Sequence, residues 1–406
     1  MRIGIVGQGY VGLALSSAIC AIGQPVIGFD VDIAKVSDFK AGRFPVDFRE
    51  AFALREALKK ELYEVSVDAA ALSKCEVVII AVPTPLDSKG LPDTSILEGA
   101  CEEIAKYLRV DALVISESTS HPGTLRNLIM PAICNVRKDK GKFLEFAIAP
   151  ERVNPSDHQF SVHNTPRVVA GNTPNAGKRA KEFYVKFVKD VHLVDEPEIA
   201  ELSKLLENSF RLININFINE LASYCHVKNI DIQSVISAAA TKPFGFMPFY
   251  PGAGVGGHCI PVDPAYLLYD SKEVNSKIMS LEIALQGNNE RSKIIVDNVI
   301  KKFGALTGKN VLIEGVSYKP NVDDIREAAS LKLANEFVKH GANVFWWDPL
   351  VSNFPIGNKT SQYERMDLVI IVVIHSSTEI SKIIKLSPLI VDTTYSLPIS
   401  DKIVRL

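Results

Sequence analysis

A glycine-rich stretch two-thirds of the way along the chain, GVGGHCIPVDP at residues 254–264, places a thiol, an imidazole and a carboxylate within six positions. Its density of glycine and proline excludes a regular helix or strand and predicts a tight turn. Cys259 could simply fill that turn, or it could act from it as a nucleophile. His258 is its neighbour, so the two side chains tend to diverge and a Cys–His dyad is not expected. Asp263 could cap the helix that Pro264 starts and still handle a proton.

A second set of polar residues lies on a long helix predicted over residues 198–226. Four of them step by three, four and three positions and so share one face: Glu201, Lys204, Asn208 and Arg211. This face could be a solvated stripe, or it could line a cleft. Asn208 favours the cleft, because asparagine is a poor residue for a helix interior unless its side chain has a partner.

The amino-terminal segment has the pattern of a dinucleotide site. The apolar run 2–6 ends at Gly7, and the sequence GQGYVG then places Gly7, Gly9 and Gly12 in GxGxxG spacing ahead of a helical pattern. The glycines allow a tight turn and a close approach of backbone to a pyrophosphate. Asp30 closes the next apolar strand, where a carboxylate hydrogen-bonds a ribose hydroxyl and repels a 2′-phosphate. The pattern predicts NAD rather than NADP; a glycine turn without a ligand is the alternative.

Strand and helix patterns alternate through the rest of the chain. In the first half, the loops that follow apolar strands carry Thr84, Thr119 and Glu151, and such loops at the carboxyl ends of parallel strands bind ligands. Helix capping, turn chemistry and exposed loop charge are the alternative explanations for these residues. A second α/β unit begins near residue 311 without a GxGxxG motif, so we expect a different ligand there. Its loop offers Lys319 and Arg326, which suit phosphates unless they are surface charges.

The composition fits a globular enzyme and excludes several other classes. The chain has 406 residues, is 47% hydrophobic and carries a net charge of −2, which gives no general attraction to nucleic acid or anionic lipid. The 6 cysteines show no CxxC spacing, as expected for reduced thiols, and no metal site is predicted. The longest apolar run is far too short to span a bilayer. We therefore expect a cytoplasmic protein with no membrane segment and no nucleic-acid partner.

Seven motifs occur in one order that resembles the nucleotide-sugar 6-dehydrogenases, the UDP-glucose and UDP-N-acetylhexosamine dehydrogenase family. They are GxGxxG with Asp30, VPTP at 82–85, ESTSHPGT at 117–124, APER at 149–152, SKLLEN at 203–208, GVGGHCIPVDP at 254–264 and YKPNVDDIRE at 318–327. The resemblance covers nearly the whole chain. It implies an NAD-dependent enzyme that oxidises the C6 alcohol of a UDP-sugar to a carboxylate, using two NAD and releasing no free aldehyde.

The resemblance also implies roles for individual residues. Cys259 would hold the aldehyde as a thiohemiacetal and then become a thioester; Lys204 and Asn208 would steady the oxyanion; Asp263, Glu151 and Thr119 would handle water and protons. The residues implied for NAD binding are Gly7, Gly9, Gly12, Asp30, Thr84, Thr119 and Arg326. Those implied for substrate binding are Glu151, Arg152, Lys204, Asn208, Arg211, Phe249, Tyr250, Gly252, Gly256 and Lys319. Lysine and amide one turn apart can flank one oxygen, and the lysine could also favour the thiolate.

Short motifs favour one substrate. PERVNPS resembles the N-acetylhexosamine branch of the family, and TKPFGFMPFYPG and GGHCIPVDP are most similar to the UDP-N-acetylglucosamine 6-dehydrogenases of surface-polysaccharide pathways. UDP-N-acetylmannosamine and UDP-glucose are the alternative substrates. A two-electron dehydrogenase and a non-catalytic regulator that binds NAD or a UDP-sugar are the alternative functions; a regulator has no need for the thiol.

The expected architecture is an α/β protein with two Rossmann-like, doubly wound parallel-sheet domains joined by a long central helical region. We expect an NAD-binding domain at 1–196, a central helical domain with the catalytic Lys, Asn and Cys at 197–300, and a UDP-sugar-binding domain at 301–406. The resemblance further implies a homodimer or higher homo-oligomer built on the long helix.

Overall fold

A computed structural model describes residues 1–45, 50–153, 160–257, 259–360, 366–398 and 400–405. The chain forms two compact units. Unit 1 comprises Met1–Glu207 and Ala265–Asn275, and unit 2 comprises Asn208–Pro264 and Ser276–Leu406. The division of the sequence into three domains stays a prediction.

Unit 1 is built on an eight-stranded sheet in the order β3-β2-β1-β4-β5-β6-β7-β8. Its pairings are parallel except for β6 with β7. The strands are β1 Ile3–Val6, β2 Val26–Phe29, β3 Tyr63–Ser66, β4 Val77–Ile80, β5 Leu113–Ser116, β6 Glu145–Ile148, β7 Arg167–Gly171 and β8 Val191–Leu193. β1, β2, β4 and β5 are buried throughout, as expected of parallel strands covered on both faces.

The helices of unit 1 cover this sheet. They are α1 Tyr10–Ala21, α2 Ile33–Lys40, α3 Ala51–Lys59, α4 Ser95–Ala105, α5 Met130–Val136 and α6 Pro174–Tyr184. A 3-10 segment spans Ala69–Lys74, and a π-helical segment, Leu125–Ile129, leads into α5. Strand order reverses between β1 and β4, the point at which open α/β sheets bind their ligands.

Helix α7 runs from Pro197 to Lys228, 32 residues, and confirms the predicted long helix. Proline suits the first position because its missing N–H would have no partner there. Glu198 lies in the first turn, where a negative charge is favourable. Asn229 follows the last residue with φ 55°, the left-handed conformation that commonly ends a helix.

Unit 2 is built on a second parallel sheet in the order β11-β10-β9-β12-β13-β14. The strands are β9 Asn310–Glu314, β10 Asn343–Trp347, β11 Asn358–Lys359, β12 Leu368–Ile371, β13 Ile390–Asp392 and β14 Ile403–Val404. Its helices are α8 Ile232–Ala240, α10 Met279–Phe303, α11 Ala329–Lys339 and α12 Ile380–Leu386, while α9 Asp263–Glu273 belongs to unit 1 from Ala265 onward. The order repeats that of β3-β2-β1-β4-β5-β6, so the prediction of two Rossmann-like sheets with a long helix is confirmed.

Candidate active site

The glycine turn after β1 leaves the N-terminus of α1 open. Gly7 has φ +88°, and a Cβ there would lie 2.6 Å from the carbonyl oxygen of Ala81. A Cβ at Gly12 would lie 1.9 Å from the carbonyl oxygen of Gly7, so both glycines are required by packing. Gly9 is the N-cap of α1, has no side chain to cap the first turn and faces open space. Because the first amides of a helix have no partner within the helix, this start of α1 fits the pyrophosphate of a dinucleotide.

Asp30 is held in place at the end of β2. Its Oδ2 accepts from the Gln8 amide at 2.8 Å and from Lys35 Nζ at 3.0 Å, and its Oδ1 accepts from the Asp32 amide at 3.0 Å. A fixed carboxylate beside the glycine turn fits the ribose of NAD. Sequence reasoning missed Lys35, for which the spacing of five residues from Asp30 was the only signal.

Gln8 is a buried residue whose role the GxGxxG pattern hides, because its position in the motif is variable. Its Nε2 donates to the carbonyl of Ile5 at 3.1 Å, and its Oε1 accepts from Tyr63 Oη at 2.7 Å. A Cβ at Gly28 would lie 2.6 Å from this side chain, so β2 carries glycine where Gln8 crosses it. Gln8 therefore ties the nucleotide turn to β2 and β3.

The loops after β4 and β5 are joined to each other. Ser118 Oγ donates to the carbonyl of Val82 at 2.8 Å, and Thr84 is largely buried in the loop after β4. Thr119 Oγ1 accepts from Lys204 Nζ at 2.5 Å. This contact brings together two residues that were predicted from separate motifs.

Glu201 lies one turn before Lys204 and was predicted only as a member of the polar face. It is 1% exposed, and its carboxylate accepts from the amides of Gly123 and Leu125. Burial raises the pKa of Glu201 to about 7, against the lowering effect of the two amide hydrogen bonds.

Glu151 and Arg152 follow β6. The carboxylate of Glu151 accepts from the amide of Val153, and Arg152 forms an ion pair with Glu207 across 2.5 Å. Arg152 Nη1 also donates to the carbonyl of Pro166 at 3.0 Å. The PERVNPS motif lies outside the described residues from residue 154 onward.

A buried cluster that the sequence did not reveal lies under this loop. Arg167 Nη1 contacts Glu117 Oε2 at 2.5 Å, and Tyr184 Oη donates to Glu117 Oε1. Burial raises the pKa of Glu117, while Arg167 lowers it. The amide of Glu151 donates to the carbonyl of Glu117 at 3.3 Å, so the cluster supports the loop that carries Glu151.

In unit 2, Cys259 lies in a turn that enters α9. Its carbonyl accepts from the amides of Val262 and Asp263, at 3.2 and 2.9 Å, and its side chain is partly exposed. α9 begins at Asp263 itself, one residue earlier than the capping interpretation had it. Asn208 Nδ2 donates to Asp263 Oδ2 at 2.6 Å, and Asp263 is fully buried. His258 lies outside the described residues.

Two glycines before Cys259 let its loop pack closely against residues 318–328. A Cβ at Gly256 would lie 2.5 Å from the carbonyl oxygen of Glu327, and a Cβ at Gly257 would lie 2.8 Å from the Tyr318 ring. The amide of Gly257 donates to the carbonyl of Arg326 at 2.9 Å. These glycines therefore have a packing role in addition to any room they leave for a substrate.

Arg326 and Tyr318 are the groups of this loop that interact electrostatically with Cys259. The pKa of Arg326 is raised by its hydrogen bond and ion pair with Asp324, and further by Tyr318 and Cys259. Burial raises the pKa of Tyr318, and the charges of Asp324 and Cys259 add to the effect. A cation near a thiol favours the thiolate.

The predicted substrate loop is fixed at its backbone by two helices. The amide of Gly252 donates to Asn219 Oδ1 at 2.8 Å, and Arg291 Nε donates to the carbonyl of Gly252 at 3.0 Å. Asn288 Oδ1 accepts from the amide of Val255 at 2.8 Å. Sequence reasoning missed these three helix residues, which are all buried.

The other predicted substrate residues are spread over unit 2. Phe249 packs on Phe210 with ring centroids 5.8 Å apart, while Tyr250 and Arg211 are exposed. Lys319 Nζ lies 5.4 Å from the centroid of the Tyr318 ring. The roles of Arg211 and Tyr250 in substrate binding stay predictions.

Asp348 follows β10 and so occupies the position that Asp30 has in unit 1. Its carboxylate, however, accepts hydrogen bonds mainly from backbone amides of the protein. Its oxygens accept from the amides of Val316, Ser317, Leu350 and Val351 and from His375 Nε2. Burial raises the pKa of Asp348, but the hydrogen bonds from His375 and the amides outweigh it and hold the pKa at about 2. His375 Nδ1 in turn accepts from the amide of Asn321 at 3.0 Å, which fixes the loop carrying Lys319.

The described residues include neither a candidate membrane span nor a candidate metal site. Among those residues, no helix is both long and apolar enough to cross a membrane. Within the same ranges, no three of His, Cys, Asp and Glu come together as a metal site.

A parallel sheet with an open glycine turn and a fixed acid, together with a second Rossmann-like sheet, defines a dinucleotide-dependent oxidoreductase. Three models of the UDP-glucose/GDP-mannose dehydrogenase family match the chain: the NAD binding domain at 1–188, the central domain at 198–290 and the UDP binding domain at 312–397. The chain belongs to this family and is an NAD-dependent nucleotide-sugar dehydrogenase. The resemblance seen in the sequence is thereby confirmed.

Three relatives illustrate the similarity. A UDP-N-acetyl-D-glucosamine 6-dehydrogenase of Pseudomonas aeruginosa is 31% identical over 93% of this chain and 91% of its own length. A UDP-N-acetyl-D-mannosamine dehydrogenase of Methanocaldococcus jannaschii is 31% identical over 92% of this chain and 86% of its own. The solved structure of a UDP-D-ManNAc dehydrogenase from Pyrococcus horikoshii has a TM-score of 0.88 at 27% identity, covering 99% of this chain and 98% of that one.

Proposed function

We propose that this enzyme oxidises the C6 alcohol of a UDP-N-acetylhexosamine, with UDP-N-acetylglucosamine favoured, to the uronic acid through a covalent intermediate on Cys259. The observation that carries the proposal is that residues predicted from separate motifs are paired. Lys204 contacts Thr119 at 2.5 Å, and Asn208 contacts Asp263 at 2.6 Å. Such pairs join candidate oxyanion donors to candidate proton-handling groups.

The thiol accounts for the second oxidation. The Cys259 thiolate adds to the C6 aldehyde and forms a C–S bond, which gives a thiohemiacetal that can lose a second hydride. The resulting thioester is hydrolysed by one water, which breaks the C–S bond, returns the thiol and releases the carboxylate. Each bound NAD supplies a hydride acceptor, so two are reduced per sugar. An alcohol side chain would perform this sequence poorly.

Polar groups on α7 would stabilise the oxyanion at C6. Lys204 and Asn208 are four residues apart, about one helical turn, so their side chains project from one face. An ammonium and an amide can flank one oxygen, and each such donor contributes about 3–4 kcal/mol in comparable sites. Asp263, Glu151 and Thr119 are assigned to the movement of protons and the activation of water.

The binding residues fall in both units. For NAD we assign Gly7, Gly9, Gly12, Asp30, Thr84, Thr119 and Arg326. Arg326 pairs with Asp324 across 2.6 Å, so binding NAD would require it to share or exchange that partner. For the UDP-sugar we assign Arg152, Arg211, Phe249, Tyr250, Gly252, Gly256 and Lys319, besides Glu151, Lys204 and Asn208.

The choice of sugar rests on short motifs and on relatives of both kinds. Relatives named for N-acetylglucosamine and for N-acetylmannosamine each reach 31% identity, so overall similarity does not separate the two sugars. The sequence motifs favour UDP-N-acetylglucosamine. We assign the enzyme to surface-polysaccharide biosynthesis in the cytoplasm.

NADH formation with four substrates tests the reaction: UDP-glucose, UDP-N-acetylglucosamine, UDP-N-acetylmannosamine and UDP-N-acetylgalactosamine. We expect two NADH per sugar, with the highest kcat/KM for UDP-N-acetylglucosamine. A single NADH with an aldehyde or ketone product would indicate an ordinary two-electron dehydrogenase. NAD or UDP-sugar binding without turnover would indicate a regulator.

The role of Cys259 is tested by Cys259→Ala. We expect loss of uronate formation with NAD binding unchanged, because the thiol acts on the sugar and not on the dinucleotide. Cys134→Ala, which removes the other partly exposed thiol, is the control and should keep full activity. Acid formation by Cys259→Ala at the wild-type rate would refute the covalent mechanism.

A further inference from the structure

Glu201 is a buried carboxylate that the reaction above leaves without a role. Its Oε2 accepts from the amide of Gly123 at 2.6 Å, and its Oε1 accepts from the amide of Leu125 at 2.9 Å. These amides belong to the turn that enters the π-helical segment Leu125–Ile129, where the first N–H groups lack partners within the helix. Both carboxylate oxygens are therefore committed to this turn.

Helix α7 holds the same stretch of chain at a second point. Lys204 Nζ donates to Thr119 Oγ1 at 2.5 Å, and Glu201 is three residues from Lys204 on the same face of the helix. The segment 119–125 is thus fixed to one helix at both of its ends. A shift of the end held by Glu201 would be transmitted through five residues to Thr119.

We propose that Glu201 is a positioning residue, whose ionised carboxylate holds residues 121–125 on α7 and so keeps Thr119 in contact with Lys204. This inference rests on the proposed function, which assigns Thr119 and Lys204 to the reaction. It concerns a residue that would touch neither sugar nor dinucleotide.

The charge state of Glu201 determines how well it can hold the turn. A carboxylate accepts from both amides, whereas a protonated carboxyl group turns one oxygen into a donor. Burial, with a smaller contribution from the charge of Glu198, raises the pKa of this group to about 7, against the lowering effects of the two amides and of Arg126. The two elements that Glu201 joins also carry the titratable groups Lys204, on α7, and His121, in the turn. As the pH falls through about 7, the group is protonated and the turn loses an acceptor.

Glu201→Gln tests the proposal because glutamine resembles the protonated acid. We expect kcat to fall about 10- to 100-fold, the scale of an ångström-sized misplacement in an active site. We expect kcat of the wild type to rise between pH 6 and 8 as Glu201 ionises, and this rise to be absent in the variant, which cannot ionise there. Hydrogen exchange in peptides covering 119–125 should become faster.

Glu198→Gln is the matched control on the same helix. Glu198 pairs with Arg126 at the surface and affects Glu201 through its charge. Its replacement should leave the alkaline kcat unchanged and move the acidic limb to lower pH, because a charge that raises the pKa of Glu201 is removed. If Glu201→Gln does not fold, the pH shift of the acidic limb in Glu198→Gln tests the proposal instead. An acidic limb at the wild-type pH in Glu198→Gln would overturn the proposal.

Two results for a folded Glu201→Gln would also overturn it. The first is an unchanged kcat and pH profile; the second is faster exchange in 119–125 without loss of activity. Failure of the proposed function has a different signature, in which the wild-type enzyme oxidises none of the four UDP-sugars. Failure of the inference leaves wild-type activity intact and the variant equally active.

Discussion

Gly257 is one of two residues at which the loop before Cys259 packs tightly against the loop after β9. Its φ of +81° lies in the left-handed region, which disfavours side chains, and a Cβ would lie 2.8 Å from the ring of Tyr318. Tyr318 is in turn close enough to Cys259 for the two to interact electrostatically. Any side chain at 257 would therefore act on the surroundings of the thiol as well as on the backbone.

Gly257→Ala should destabilise unit 2 and reduce activity. Strain at a positive φ costs about 1–3 kcal/mol, and displacement of Tyr318 adds to it. We expect a lower melting temperature and a lower kcat, measured by calorimetry and by NADH formation. Gly99→Ala is the control, because Gly99 lies in α4 with nothing within 4 Å of its would-be Cβ. That change should raise stability by about 0.5–1 kcal/mol; an equal effect of both changes would contradict the prediction.

The residues that sequence reasoning found and missed differ in a physical way. Asn208 and Cys259 stand out because their types are unusual for the positions that the local pattern gives them, and Lys204 stands out because it shares the helix face of Asn208. Gln8 and Glu201 do not stand out, because the sequence does not show whether a polar residue is buried or exposed. Their partners are brought close only by the fold, as with Glu201 and Leu125, 76 residues apart.

The secondary structure and the parallel, doubly wound sheets could be predicted from the sequence more fully than the conformations of the loops. The continuous apolar strands and the alternation of strands and helices indicate parallel sheets, since both faces of each strand are buried. The sequence also shows an acid, Asp348, directly after the apolar run 344–347. It could not tell that Asp348 would bind four amides and His375, because those groups come from three separate loops.

Asp348→Asn tests this junction between β9, β10 and the loop after β12. An amide nitrogen replaces one acceptor, so buried N–H groups lose their partner at about 1–3 kcal/mol each. The pKa of about 2 in the folded state lies below the unfolded value, so the charge stabilises the fold above pH ~4 and this contribution disappears as the pH falls toward 2.

Denaturant unfolding at pH 6 and at pH 3 measures both effects. Asp348→Asn should lose stability at pH 6, and its deficit relative to wild type should shrink at pH 3. Asp401→Asn, at an exposed position of the same unit, is the control and should match wild type at both pH values. A deficit independent of pH would mean that the charge of Asp348 does not contribute.

At the scale of the whole molecule, α7 presents an apolar stripe to solvent. Leu206, Phe210, Phe217 and Tyr224 are 63%, 47%, 58% and 56% exposed, and their spacing of four, seven and seven places them along one side of the helix. Contiguous exposed apolar surface commonly marks an interface. We propose that the homodimer or higher oligomer expected from the sequence forms through this stripe. The sequence pattern alone could not show which apolar side of α7 is exposed and which is buried.

Phe217→Glu should weaken the proposed self-association. A buried aromatic anchor contributes about 2 kcal/mol or more at an interface, so we expect the dissociation constant to rise by about 30-fold or more. Light scattering across a dilution series measures it. Val338→Glu, at a 50% exposed apolar position of α11, is the control. A wild-type chain that is monomeric at all concentrations would contradict the proposal.

The 6 cysteines are distributed so that few of them can react with electrophiles. Cys20, Cys75, Cys101 and Cys225 are buried, and burial raises the pKa of the first three to about 12. All four are covered, and Cys20, Cys75 and Cys101 stay protonated at neutral pH, while Cys134 and Cys259 are partly exposed. Since burial also raises the pKa of Cys134, alkylating agents and oxidants should react first at Cys259, the thiol on which turnover is proposed to depend. Under oxidative stress the enzyme would then lose its nucleophile, Cys259, before the thiols buried in its fold were oxidised.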